Sequence, residues 1–452
     1  MTSPNWRSVA SRLPAFVQAG GGSSMIRGGV AAMILKAGYV IAQFGVGVVL
    51  ARALGPAALG TYAFIVAVVQ VLVILGQWGI PTLLVRRLAV DLQTGHLVET
   101  KGRIASALIV VAMTSFLVSA GWALISGLTG SSRSDMGGLV IVLVIAVALG
   151  SVIGGALRGL GSVSFSLMAD ETLRPWFLLG FIGVSMAFGA ALDPRAALAI
   201  HAVAAVSALV ISAMLLRHNM PNCVEQEAIV WQIPASLRLG LPFLLLAGAQ
   251  TVGYQTDTIL LGILTPGTPV GLYRTAAQVA ESVSVLLFAI STVIGPHLAR
   301  AEGDPDRLRA ILIDAHRIGL ALMAPMMLVV LFAGDWVVTT MFGSDYISAI
   351  PAMHILVLGK MLYATTGFVG LALGMIGRAW QAAGIAAAVI LLNVVLDLVL
   401  IPRLGIEGAA IADTSSNFMV NLAGALYLRH LLGGRGVSAI AVKSKKRNAS
   451  SA

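Results

Sequence analysis

The sequence predicts an all-α membrane protein of twelve transmembrane helices in two six-helix lobes, with N- and C-termini cytoplasmic. Three observations predict it. The first is composition: 58% of the 452 residues are hydrophobic, 11% are charged, and the mean hydropathy is +0.94. Soluble domains carry about 25% charged residues, so a chain this poor in charge cannot cover its surface in water and takes lipid as its solvent. The second is the recurrence of apolar stretches of bilayer length. The third is where Lys and Arg fall between those stretches.

Residues 1–25 hold Arg7, Arg12 and many Gly and Ser without an apolar run, and read as a cytoplasmic arm rather than a signal peptide. Apolar stretches of about 20 residues then follow at 28–50, 57–80, 104–128, 137–157, 175–192 and 196–216, giving a first lobe over 26–219. A linker at 220–238 leads to six more, at 240–263, 270–295, 310–332, 351–375, 380–401 and 406–428, a second lobe over 239–432. The end, 433–452, contains the basic run Lys443 to Arg447 and reads as a disordered cytoplasmic tail beside anionic headgroups. With the N-terminus inside, 22 of the 29 Lys and Arg residues fall in inner segments and 4 in outer ones. The other three, Lys36, Arg274 and Lys360, lie within spans. One missed or extra helix would erase this asymmetry, since basic residues accumulate on the cytoplasmic side.

The two lobes also read as a repeat. Gly60 and Tyr62 pair with Gly271 and Tyr273 at an offset of 211, and Leu157 and Gly161 echo Leu373 and Gly377 at 216. An even number of spans per half keeps both halves in one orientation, a parallel repeat about an axis along the membrane normal.

Charge at bilayer depth costs about 2.5–3.5 kcal/mol or more per residue and so faces a cavity or a partner. Lys36, Tyr39 and Gln43 share one helical stripe, and Gln250, Tyr254 and Asp257 share another at the same repeat phase. Arg274, Gln278 and Glu281 align in the eighth span, with Gln70 the repeat mate of Glu281. These residues mark a polar cavity with Lys36, Arg274 and Lys360 as its cations. Asp257 and Glu281 are the ion-coupling candidates, because a desolvated acid can carry a proton, and Arg274 would hold one of them charged. Asn393, Asn417 and Asn421 read equally as interhelical hydrogen bonds, and Asp397 and Asp413 are open between a functional and a structural role. The Gly150/Gly154 and Gly155/Gly159 pairs allow close helix packing.

Several function classes are excluded. The lone Cys223 rules out an internal disulfide framework or a cysteine metal cluster, and the seven His have no metal-ligand spacing. The net charge of +10 is topological rather than a sign of nucleic acid. There is no phosphate-binding Gly-x-x-x-x-Gly-Lys-[Ser/Thr] run and no outer loop large enough for a glycan polymerase or ligase. No catalytic residue, cofactor or metal is expected, and the chain does not read as an enzyme.

Motifs then narrow the class. The run Leu50-Ala-Arg-Ala-Leu-Gly-Pro56, with Gly60-Thr-Tyr62 and Gly79-Ile-Pro-Thr-Leu-Leu-Val-Arg-Arg87, resembles the opening of bacterial polysaccharide flippases. These form part of the multidrug/oligosaccharidyl-lipid/polysaccharide (MOP) exporter superfamily. Leu157-Arg-Gly-Leu-Gly161, Leu173-Arg-Pro175, Val270-Gly-Leu-Tyr-Arg274 and Met341-Phe-Gly-Ser-Asp-Tyr346 resemble later family segments in order, so the likeness spans about 26–430. The resemblance implies a MATE-like V-shaped bundle in the bacterial inner membrane, alternating between inward- and outward-open states. It implies export of a polyprenyl-pyrophosphate-linked oligosaccharide for O-antigen, lipopolysaccharide or exopolysaccharide synthesis, coupled to H+ or Na+, alongside other polysaccharide-assembly proteins. Arg52 joins Lys36, Arg274 and Lys360 as a candidate for the anionic headgroup, although its position also suits the outer surface of the first loop. A multidrug/cation antiporter of the same superfamily would favour acidic and aromatic lining, which 6% aromatics do not suggest. A non-transporting scaffold of an assembly complex is the reading from another class.

Overall fold

A computed structural model describes residues 22–94, 98–129, 134–220, 233–301, 304–366, 368–376 and 378–431. The expected N-terminal arm up to residue 21, linker residues 221–232 with Cys223, and the basic tail after Leu431 lie outside the described residues. Among the described residues the chain is helical and contains no strand. Among the described residues, seven helices are long and apolar enough to cross a membrane.

Two of the seven, of 47 and 52 residues, are too long for one crossing. At 1.5 Å per residue each would run about 70–80 Å against a hydrocarbon core of about 30 Å. Each is broken once. In α1 (Gly22–Gln77) the break is Gly55, at φ 71° and ψ 171°, followed by Pro56. In α14 (Ala379–Leu431) it is Gly405, at φ 59° and ψ −130°, just after Pro402. Only glycine enters these backbone regions without strain, and both breaks fall between consecutive apolar stretches.

After α1 come α2 (Ile80–Thr94), α3 (Val98–Leu128) and α4 (Gly137–Gly159). The fifth apolar stretch is built in three contiguous pieces: α5 (Val163–Leu167), a π-helical turn (Met168–Thr172) and α6 (Leu173–Ala187). This helix begins twelve residues before the stretch read from hydropathy, because Asp170 and Glu171 interrupt the apolar run without interrupting the helix. The π turn shows in its bonding: the Thr172 hydroxyl donates five residues back to the Leu167 carbonyl at 3.1 Å. Next is α7 (Pro194–Asn219), capped by Asp193, whose carboxylate accepts from the Ala196 amide at 2.6 Å. Then follow α8 (Ile233–Leu264), α9 (Thr268–Arg300), α10 (Pro305–Phe332), the short α11 (Gly334–Met341), α12 (Ile350–Thr366) and α13 (Val369–Met375).

Contacts divide the chain into two compact units, residues 1–259 and 260–452. The division falls inside α8. The start of α8 belongs with the first unit because it is wedged against the turn between α1 and α2. Trp78 and Gly79 both take positive φ there, 51° and 68°. The Trp78 indole donates to the Leu237 carbonyl at 2.9 Å, and a Cβ on Gly79 would stand 2.4 Å from the Gly240 carbonyl oxygen. Elsewhere in this unit a Cβ on Gly155 of α4 would lie 2.6 Å from the Pro81 carbonyl, and one on Gly159 would lie 2.9 Å from Leu88 Cβ. The small residues of α4 thus seat α2 and the π turn directly on its backbone, the close packing expected of them.

Within the second unit α12 packs on α14, where the Thr414 hydroxyl donates to the Ile355 carbonyl at 3.2 Å. The outer faces carry large bare apolar side chains, among them Phe188, Phe332 and Trp380, each more than 85% exposed. Such a surface suits lipid and not water. The molecule is a multi-pass membrane protein.

Candidate functional site

The first unit holds a half-open cavity of about 620 Å³. Six segments build its lining. The first half of α1 supplies Lys36 and Tyr39, one helical turn apart, with the ammonium 5.0 Å from the ring centroid. The second half supplies Gln70 and Gln77, seven residues and therefore two turns apart. From α2 come Thr82 and Arg86, and from α4 Ser151 and Arg158. The π turn and α6 supply Asp170, Glu171 and Arg174, and the start of α8 closes the wall with Phe243 and Thr251.

The π turn is what places the two acids. Its widened backbone leaves the Ala169 carbonyl for the Ser212 hydroxyl of α7, at 3.4 Å. Asp170 turns toward α4, where Ser151 donates to it at 2.6 Å and Arg158 Nη2 stands 3.6 Å away. A Cβ on Gly154 would lie 2.8 Å from Asp170 Cβ, so this carboxylate is held tightly. Glu171 turns toward α1 and meets the Lys36 ammonium at 2.5 Å, both side chains about 30% exposed.

Four cations and two carboxylates therefore line the cavity. Lys36 and Arg158 are matched by Glu171 and Asp170, while Arg86 and Arg174 have no ion-pair partner among the described residues. The excess is positive, in a space walled by helices, where an anion finds less screening than in bulk water.

Of the residues singled out in the sequence, Lys36, Tyr39 and Gln70 come together in this cavity. Gln43, four residues beyond Tyr39, is exposed outside the lining, as are Gln250 and Tyr254 on α8. Arg52 is exposed near the Gly55 break and lies outside the lining. Asp257 is buried at 7% exposure and is not in the lining. The rest lie in the second unit. There Arg274 pairs with Glu281 two turns along α9 at 3.5 Å, with Gln278 half-buried between them. Lys360 of α12 stands 3.6 Å from Asp413 of α14, and Asn417 donates to that same carboxylate at 2.7 Å. Asn421 continues the stripe, donating to the Asn417 carbonyl at 2.7 Å, while Asn393 and Asp397 are buried one turn apart. Each expected intramembrane base thus meets an acid of its own unit.

Sequence reasoning missed Arg86, Arg158, Asp170, Glu171 and Arg174 as site residues, because it placed them in cytoplasmic connections. One signal pointed to them. Lys36 at membrane depth needs a counter-charge, and Asp170 and Glu171 are the only acids between Asp135 and Asp193.

Residues 49–351 match the family described as "Polysaccharide biosynthesis protein", about two thirds of the chain. The chain belongs to that family. It is 26% identical over 167 residues to the "Probable low-salt glycan biosynthesis flippase Agl15" of Haloferax volcanii, a match covering 36% of this chain and 35% of the relative. The chain thus spans little more than a third of the length of the curated relatives it matches. Its fold is that of the MOP superfamily. An inward-facing multidrug resistance MATE family transporter of that superfamily shares it at a TM-score of 0.70 and 14% identity, over 87% of this chain and 94% of that one. The lipid II flippase MurJ, in an inward closed conformation, shares it at 0.63 and 14% identity, over 89% and 87%.

Proposed function

We propose that this family member is an alternating-access flippase. It carries a polyprenyl-pyrophosphate-linked oligosaccharide from the inner to the outer leaflet of the cytoplasmic membrane for cell-surface polysaccharide synthesis. The observation that carries this reading is the cationic excess of the first-unit cavity, with Arg86 and Arg174 outside any ion pair among the described residues. A pyrophosphate entering a low-dielectric space needs such groups to offset its lost hydration. Tyr39, Gln70 and Gln77 offer hydrogen bonds to sugar hydroxyls, and the polyprenyl tail stays in lipid. An organic cation would meet repulsion in this lining, which weighs against the multidrug antiporter reading.

The same proposal includes twelve crossings with both ends cytoplasmic. Each broken helix counts twice, and the α5–α6 segment, α8 and α9 supply the remainder. It also includes two lobes of six helices and coupling to H+ or Na+ through Asp257 and Glu281. Arg274, Lys360 and Arg52 remain candidates for later contacts along the transport path.

The test is deletion of the gene followed by assay of the lipid-linked glycan on each leaflet. The glycan should accumulate on the inner leaflet, and complementation by Lys36→Ala or Arg174→Ala should fail at normal protein levels. Full export by both variants would sink the cavity assignment. Transport unaffected by collapse of both proton and sodium gradients would remove the coupling role of Asp257 and Glu281.

A further inference from the structure

Two ion pairs line the first-unit cavity, and they are built differently. The Asp170 carboxylate is fixed by three contacts: the Ser151 hydroxyl at 2.6 Å, Arg158 at 3.6 Å, and the close backbone of Gly154. Its role is completed by packing. Glu171 has none of this support. Its ion pair is with Lys36 alone, at 2.5 Å, and both side chains keep about 30% of their surface open to the cavity. Its longer arm springs from the widened π turn rather than from a regular helix. One turn further on stands Arg174, on the cavity wall and without an ion-pair partner among the described residues. Residues three apart on a helix are neighbours, so a Glu171 carboxylate that let go of Lys36 has a second cation within its swing.

We propose that Glu171 is an internal competitor for the anionic headgroup of the substrate. It holds Lys36 when no headgroup is present, swings to Arg174 when phosphate oxygens take the lysine, and returns to displace them. The proposal rests on the reading of the cavity as a pyrophosphate site and adds a residue that weakens binding on purpose. A site of four cations without such a competitor would hold a pyrophosphate too firmly to release it, and passage through a membrane requires both entry and exit. The two carboxylates thus divide the work: Asp170 shapes the wall, and Glu171 sets the affinity. A purely structural pair, present only to neutralise Lys36 at membrane depth, has different consequences, because removing the acid would then only destabilise the fold.

The experiment uses the full chain in lipid nanodiscs, with farnesyl pyrophosphate and inorganic pyrophosphate as probes and calorimetric Kd as the readout. Glu171→Gln keeps the shape and removes the charge. It should bind farnesyl pyrophosphate about tenfold more tightly than wild type, the gain of a freed, partly buried cation, and complement transport poorly. In a Lys36→Ala background the same change should bring a smaller gain, because only Arg174 is then left for the carboxylate to compete for. Glu171→Asp, a shorter arm with its charge intact, should fall between and serves if the glutamine variant fails to fold. Unchanged or weaker binding by both Glu171 variants, with wild type binding normally, overturns the competitor and leaves the flippase reading standing. Absence of binding of either probe by wild type and by every variant overturns the pyrophosphate site itself.

Discussion

Lys36 and Arg174 enter the cavity in different states, one matched by an acid and one not, and their variants should differ accordingly. Lys36→Ala removes the ion pair with Glu171 and leaves that carboxylate to compete for Arg174, and should lower transport by about tenfold or more, since one lost partly buried ionic contact is worth about that factor. Arg174→Ala leaves no carboxylate unpaired, so it should lower transport while leaving thermal stability close to wild type. Leaflet-resolved glycan assays with parallel melting curves separate the two effects. At Gly79 the concern is backbone. A Cβ there combines positive φ with a 2.4 Å approach to the Gly240 carbonyl, so Gly79→Ala should destabilise by about 1–3 kcal/mol, read as a lowered melting temperature in detergent. Legibility at this scale was uneven for a physical reason. Lys36 could be found because an apolar run makes any charge conspicuous. Glu171 could not, because two adjacent acids beside Arg174 look like a water-exposed connection until the fold bends them inward. Arg52 shows the converse: its motif was recognisable, but its exposure depends on where the helix breaks.

Elements were more legible than residues, since hydropathy reports lipid contact directly and the Gly-Pro pairs at Gly55-Pro56 and around Gly405 mark where a long helix cannot continue. What hydropathy could not report is how α4 meets its neighbours. Its glycines differ in this respect. Gly155→Ala would drive a methyl into the Pro81 carbonyl at 2.6 Å, whereas a Cβ on Gly138 of the same helix has nothing within 4 Å. The first should destabilise by about 1–3 kcal/mol, and the second should stay within about 0.5 kcal/mol of wild type. Equal effects in a thermal-shift assay would mean that α2 does not rest on α4 as described. The five-residue π turn was invisible in advance, because no residue type signals it and its effect lies in hydrogen-bond register rather than composition.

For the whole molecule, the charge asymmetry carries a topology that labelling can check. The native Cys223, in the linker between the proposed lobes, should resist a membrane-impermeant maleimide added to intact cells. Cysteine introduced as Ser131→Cys in a Cys223→Ser background should react with it. Reaction at Cys223 from outside would break the proposed orientation. The division of the chain at Ile259 was not legible, because it depends on one tight crossing of the Trp78–Gly79 turn with α8 rather than on loop length.

The π turn also makes a statement about chain length. A π-helical turn behaves as one residue inserted into an α-helix, and each α-helical residue advances by about 100° around the axis. Deleting a single residue from Met168–Thr172 would therefore leave an unbroken, regular α-helix with an unchanged apolar character. Because the wide turn absorbs that extra residue, the helix on either side would keep nearly the same face, while the side chains between Met168 and Thr172 would change direction. Such a chain would insert and fold, yet its carboxylates would no longer face Lys36 and Ser151. Relatives that differ here by one residue in length are thus expected to differ in what they carry, however similar their helices look.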